Sequence, residues 1–124
     1  MRRFSIAALV LCAAPAWASE PTLFHCTYSQ FCENDTCQAM EIVYDIAVDT
    51  DAGTAIIAAF GRETAADVAL GSRSITLTWS SPLGGEMVTF DIQAFRAVHT
   101  NHMATDWAID VQRMTGECRP TGQE

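Results

Sequence analysis

The segment His99-Thr100-Asn101-His102-Met103, with Asp106 close behind, is the one cluster of metal-ligand residue types in the chain. Imidazole combined with a thioether suits copper or zinc better than a hard cation. In a regular strand His99 and His102 would point to opposite faces, because their separation is odd. A site built from His99, His102 and Met103 therefore requires a loop or turn there. His25 could join it only through the fold. The competing interpretation is a set of ordinary polar residues on a connection.

A second carboxylate-bearing pattern, Asp49-x-Asp51-x-Gly53, begins like a calcium loop, but its glycine falls one place early and Phe60 stands where a bidentate glutamate is needed. As a hairpin turn the same residues require no ion. The chain has no G-x-S-x-G elbow, H-E-x-x-H helix or glycine-rich phosphate loop, and its lack of lysine removes Schiff-base chemistry. No cofactor is expected. A catalytic site would be recognised by a concave pocket holding a histidine within reach of a serine or carboxylate.

The first residues have the order of an export signal: Met1-Arg2-Arg3, an apolar run from Phe4 to Ala14, then Pro15-Ala16-Trp17-Ala18 before Ser19. A run of about a dozen apolar residues is shorter than the roughly twenty a membrane-crossing helix needs. Residues 1–18 are therefore expected to be a signal peptide cleaved after Ala18, and residues 19–124 a single domain in the periplasm or secreted. Cys12 follows the bulky Leu11 rather than the small residue that precedes a lipidated cysteine, so soluble export is expected, with no membrane attachment after cleavage.

In that compartment Cys26, Cys32, Cys37 and Cys118 should pair. Four cysteines allow three pairings. The preferred one joins Cys32 to Cys37 around a polar loop and Cys26 to Cys118 from the first strand to the last. The exported part carries fifteen acids against five arginines, a formal charge of −10. That field repels phosphate backbones and anionic lipids and favours a cationic partner.

The elements that must position these residues read as short strands. Ile42, Tyr44, Ile46 and Val48 alternate with polar neighbours, and Asp49 to Gly53 supplies a turn. Thr54 to Phe60 follows as a strand. Thr64 to Leu70 is a strand or a single helical turn, the strand being preferred because the hairpin signal Gly71-Ser72 comes next. Ile75, Leu77 and Trp79 alternate, Pro82 to Gly85 form a turn, and Val88, Phe90 and Ile92 alternate again. Phe95 to Met103 is a strand or a connection. Trp107, Ile109 and Val111 are expected to face the core of a last strand running into Cys118, with Trp79 and Trp107 packed inside. The whole is expected to be all-β: a small antiparallel meander of about seven or eight strands, closed as a barrel or folded as a sandwich, stapled by disulfides. At this size the interior should be filled by side chains.

Three cysteines near the start of the exported part, with an apolar residue before Thr115-Gly116-x-Cys118 at its end, resemble a group of small exported proteins of Gram-negative bacteria. That resemblance implies a β fold with a terminus-tying disulfide and brings no activity with it. The layout is also similar to periplasmic inhibitors of c-type lysozyme, small β-barrels with a disulfide near the termini, whose basic target would suit an anionic protein. Their Ser-Gly-x-x-Tyr and Lys-Gly segments are absent here, so only the architecture carries over. The leading functional expectation is a non-catalytic binding domain for a protein or small ligand. The alternatives are a copper- or zinc-binding protein and, third, a small hydrolase.

Overall fold

A computed structural model of the protein describes residues 20–121, so the proposed signal peptide, residues 1–18, lies outside the described residues. Eight strands form one antiparallel meander: β1 (Thr22–Glu33), β2 (Thr36–Asp49), β3 (Thr54–Ala59), β4 (Arg62–Leu70), β5 (Ser74–Ser81), β6 (Gly84–Asp91), β7 (Arg96–Ala104) and β8 (Ile109–Pro120). Each pairs with the next, and β8 pairs with β1, closing a barrel without helices among the described residues. Closure removes the unpaired edges that an open sheet would expose.

The inward face follows the period of two expected of a half-buried strand. Tyr44, Ile46 and Val48 of β2 are buried, as are Ile75 and Leu77 of β5 and Val88 and Phe90 of β6. Small residues at other inward positions, Ala55, Ala66 and Ala97, leave room for these large ones. Phe24 packs edge-on against Phe90, with ring centroids 4.8 Å apart, filling the end of the barrel that carries the β2–β3, β4–β5 and β6–β7 turns.

Both preferred disulfides form. Cys26 and Cys118 face each other across the β1–β8 seam, and Cys32 and Cys37 across the β1–β2 hairpin. Such crosslinks are compatible with a periplasmic or extracellular location. A register shift in β1 between Tyr28 and Gln30 interrupts both of its ladders. Beyond it the inward phase changes parity, from Phe24, Cys26 and Tyr28 to Phe31.

Three sequence expectations need correction. Trp107 does not pack in the core: it lies in the β7–β8 loop and is 95% exposed. The last strand has the opposite phase from that expected, for Ile109 and Val111 are exposed whereas Gln112 and Met114 point inward. The reason is covalent, since Cys118 must face inward to reach Cys26, and strand alternation then carries Gln112 and Met114 to the same side. Finally, the interior is filled only at one end. The other end opens into a cup.

Candidate functional site: an aromatic cup around His99 and Glu86

The cup lies at the end bearing the β1–β2, β3–β4, β5–β6 and β7–β8 hairpins, where the inward positions change character. In register across β5 to β8 stand Trp79, Glu86, Asn101 and Gln112. One layer deeper, in the same registers, come Leu77, Val88, His99 and Met114. Two adjoining cavities, of about 200 and about 600 Å³, share Tyr44, Phe60, Leu83, Glu86 and His99 in their walls.

His99 is the centre of the arrangement. It is only 5% exposed, and the Tyr44 and Trp79 ring centroids lie 5.6 and 5.3 Å from its own. Its Nε2 lies 3.2 Å from Glu86 Oε1. A carboxylate can only accept, so Nε2–H donates, and Nδ1 is left as a lone-pair acceptor. That Nδ1 is buried and has no hydrogen-bond partner within the protein. The same holds for the side-chain oxygen of Asn101, a residue 7% exposed, and for the Tyr28 hydroxyl.

The electrostatics follow from burial. Desolvation, the larger influence, lowers the pKa of His99, while the Glu86 charge and hydrogen bond pull it the other way. Burial, then the nearby Glu86 charge, pushes the Tyr44 phenol up to about 12. Tyr28 is raised further by its burial and by Tyr44. Burial thus disfavours the charged forms of the rings that surround the Glu86 side chain. Among the described residues, the only cationic side chain in the walls of either cavity is Arg62, which is exposed at the rim.

Phe60 overhangs the cup from the β3–β4 turn. Ala59 pairs with Arg62, so Phe60 and Gly61 form a two-residue loop, with φ of 53° and 71°. Positive φ at both central positions defines the turn type that matches strand twist, and Asn-Gly is its usual sequence. A bulky aromatic in the left-handed region is a backbone outlier. Its ring is 76% exposed and stands edge-on to Tyr44 at 6.0 Å.

The structure separates the residues of the expected metal cluster. His99 faces the cup, His102 is exposed on the opposite face of β7, and Met103 is half-buried near the strand's end. The region is a regular strand, which sets the two imidazoles apart by parity. No group of three or more His, Cys, Asp or Glu among the described residues is placed to hold a metal ion. His25 lies outside, its Nδ1 2.8 Å from an oxygen of exposed Asp45. Asp49 serves its turn, accepting a hydrogen bond from the Ala52 amide at 3.0 Å.

Sequence reasoning passed over Glu86, Asn101, Tyr44 and Phe60 as site residues. A signal existed for the first two: Glu86 is in phase with Val88 and Phe90, and Asn101 with Ala97 and His99, so each is a polar residue at an inward position. No protein-family model, curated protein or solved structure matches the chain.

Proposed function

We propose that this is an exported, non-catalytic binding protein that takes a small organic ligand into the cup of its barrel, in the periplasm or outside the cell. One observation carries the reading: Glu86, His99 and Asn101, only 15%, 5% and 7% exposed, stand together in a cavity wall made mostly of aromatic and apolar side chains. A carboxylate held out of water needs a counter-charge or hydrogen bonds, and a ligand that supplies them offsets part of the cost of its burial. The larger cavity, at about 600 Å³, falls within the range of about 300–1,000 Å³ usual for small-molecule sites, and its mixture of apolar wall and few polar groups is typical of them. An eight-stranded barrel is wide enough to enclose one such ligand. Two disulfides and the signal-like first residues support export.

The test uses protein purified from a periplasmic extract after expression of the full chain with Trp107→Phe, which makes Trp79 the fluorescent reporter of the cup. Phenethylamine, phenethyl alcohol and hydrocinnamate share one body and differ in charge. At least one should change the emission saturably, with a Kd of about 1 mM or tighter, and raise the melting temperature. No saturable change with any of them overturns the reading.

The His99–Glu86 pair supports a second reading, the hydrolase, because a carboxylate orienting an imidazole with a free Nδ1 is the arrangement of a general base. A serine nucleophile is not delivered to it: Ser81, in the cavity wall, accepts from the Leu83 amide and donates to the Gly84 carbonyl within its own turn. Hydrolysis of p-nitrophenyl acetate faster than by an equal concentration of imidazole, and lost in His99→Gln, would move the assignment to the enzyme.

A further inference from the structure

We infer that the group the cup selects is a protonated amine, held beside the Glu86 carboxylate and against the Tyr44 and Trp79 rings that share its cavity wall. The inference rests on the small-ligand reading and gives that ligand its chemistry.

The polar inventory points to a donor. Glu86 accepts through Oε1 from His99, which leaves its other oxygen outside that bond. The donor nearest to it, His99 Nε2–H, is already used in that bond. An ammonium group has three N–H donors and no acceptor, so it complements the remaining carboxylate oxygen. A ligand carboxylate or phosphate placed there would face the Glu86 carboxylate.

Charge points the same way. A carboxylate taken out of water requires a counter-charge or several hydrogen bonds. The side chain of Glu86 is only 15% exposed, its imidazole partner is kept neutral by burial, and Arg62 stands at the exposed rim, where solvent screens it. The chain has no lysine that could reach inward. The missing positive charge can therefore come with the ligand.

The walls add the third element. Tyr44 and Trp79 flank His99, and Phe60 extends the aromatic surface to the rim. Aromatic faces attract a desolvated cation, and Trp and Tyr do so better than aliphatic walls of the same area. The apolar surface of Ile42, Leu83 and Met114 completes the cavity around the body of the ligand.

The experiment compares calorimetric affinities of the same full-chain product, at neutral pH, for phenethylamine, N-acetylphenethylamine, phenethyl alcohol and hydrocinnamate. The amine should bind at least about tenfold more tightly than the alcohol and the acetylated compound, with hydrocinnamate weakest. Glu86→Gln should remove the preference for the amine while phenethyl alcohol still binds. Equal affinity for amine and alcohol, tighter binding of hydrocinnamate, or a preference that survives Glu86→Gln overturns the inference and leaves the small-ligand reading standing. Binding of none of the four overturns that reading itself. Should Glu86→Gln fail to fold, the acetylated compound still decides, because it removes the charge from the ligand instead of the protein.

Discussion

Gly116 of β8 lies directly opposite Tyr28 of β1, where a Cβ on the glycine would stand 2.6 Å from Tyr28 Cα and 2.0 Å from the Thr27 carbonyl oxygen. The register of β1 shifts just beyond Tyr28, so this is where the barrel seam bends and leaves no room for a side chain on β8. It also gives the Thr115-Gly116-x-Cys118 pattern a physical meaning: glycine admits the neighbouring strand, and the cysteine two positions on locks it. Gly116→Ala should therefore destabilise the protein by about 2–3 kcal/mol, as overpacking against backbone does. Gly85→Ala is the control, for nothing lies within 4 Å of a Cβ built there, and it should change stability by less than about 0.5 kcal/mol. Urea unfolding of both variants decides.

The two disulfides should contribute unequally. Cys26–Cys118 joins residues 92 apart and Cys32–Cys37 residues 5 apart. Chain entropy assigns about 4–5 kcal/mol to the first and about 2 kcal/mol to the second. Replacing Cys26 and Cys118 by alanine should shift the urea midpoint about twice as far as replacing Cys32 and Cys37. An equal or reversed order would show that the seam is held by its ladder and packing rather than by the crosslink.

Acidification should weaken the fold through two separate groups. Burial holds the His99 pKa below its ordinary 6.5, so on unfolding at mildly acid pH the imidazole takes up a proton that the folded protein excludes. Its contribution is complete above pH 6.5 and falls as the pH drops below that value, with a slope of at most about 1.4 kcal/mol per pH unit. Asp91 acts lower. Hydrogen bonds from Arg73, then from the Ala94 and Gln93 amides, hold its carboxyl at about 2 against an ordinary 3.8. Its contribution is present above pH 3.8 and lost as the pH falls towards 2. His99→Gln should flatten the upper part of the stability–pH curve, and Asp91→Asn the lower part only. Thermal melts from neutral to acid pH show whether the two parts separate.

Much of the barrel was legible because its strands are short, alternating and punctuated by turn chemistry. Asp49 to Gly53, Gly71-Ser72 and Pro82 to Gly85 all fall in or beside hairpin loops, and the ambiguous Thr64 to Leu70 and Phe95 to Met103 segments lie, apart from Phe95, on β4 and β7. The phase of β8 is masked in the sequence because Trp107, Ile109 and Val111 alternate as apolar residues, in opposition to the parity that a Cys26–Cys118 bond imposes. Reading backward from Cys118 would have placed Gln112 and Met114 inside. The shift after Tyr28 had no local signal, since it depends on the seam with Gly116, a residue about ninety positions away. The cup is hidden for a related reason: His102 is the sequence neighbour of His99, but in a strand the companions of His99 are Ala97, Asn101 and the cross-strand Val88 and Met114.

Phe60 offers a test of whether that cup was shaped for use rather than for stability. Its left-handed backbone at φ 53° suits asparagine or glycine, while its ring is mostly exposed and buries little apolar surface in the fold. Strain of this kind persists where something other than stability maintains it. Phe60→Asn should raise stability by up to about 1 kcal/mol, or a few degrees in melting temperature, by relieving the turn. The same change removes the aromatic overhang beside Tyr44, so phenethylamine should bind it several-fold more weakly, by roughly the 0.5–1 kcal/mol of one exposed cation–aromatic contact. A variant that is both more stable and an equally good binder would show that Phe60 is only an ill-suited turn residue. A loss of stability would mean instead that the Tyr44–Phe60 contact outweighs the strain of the backbone beneath it.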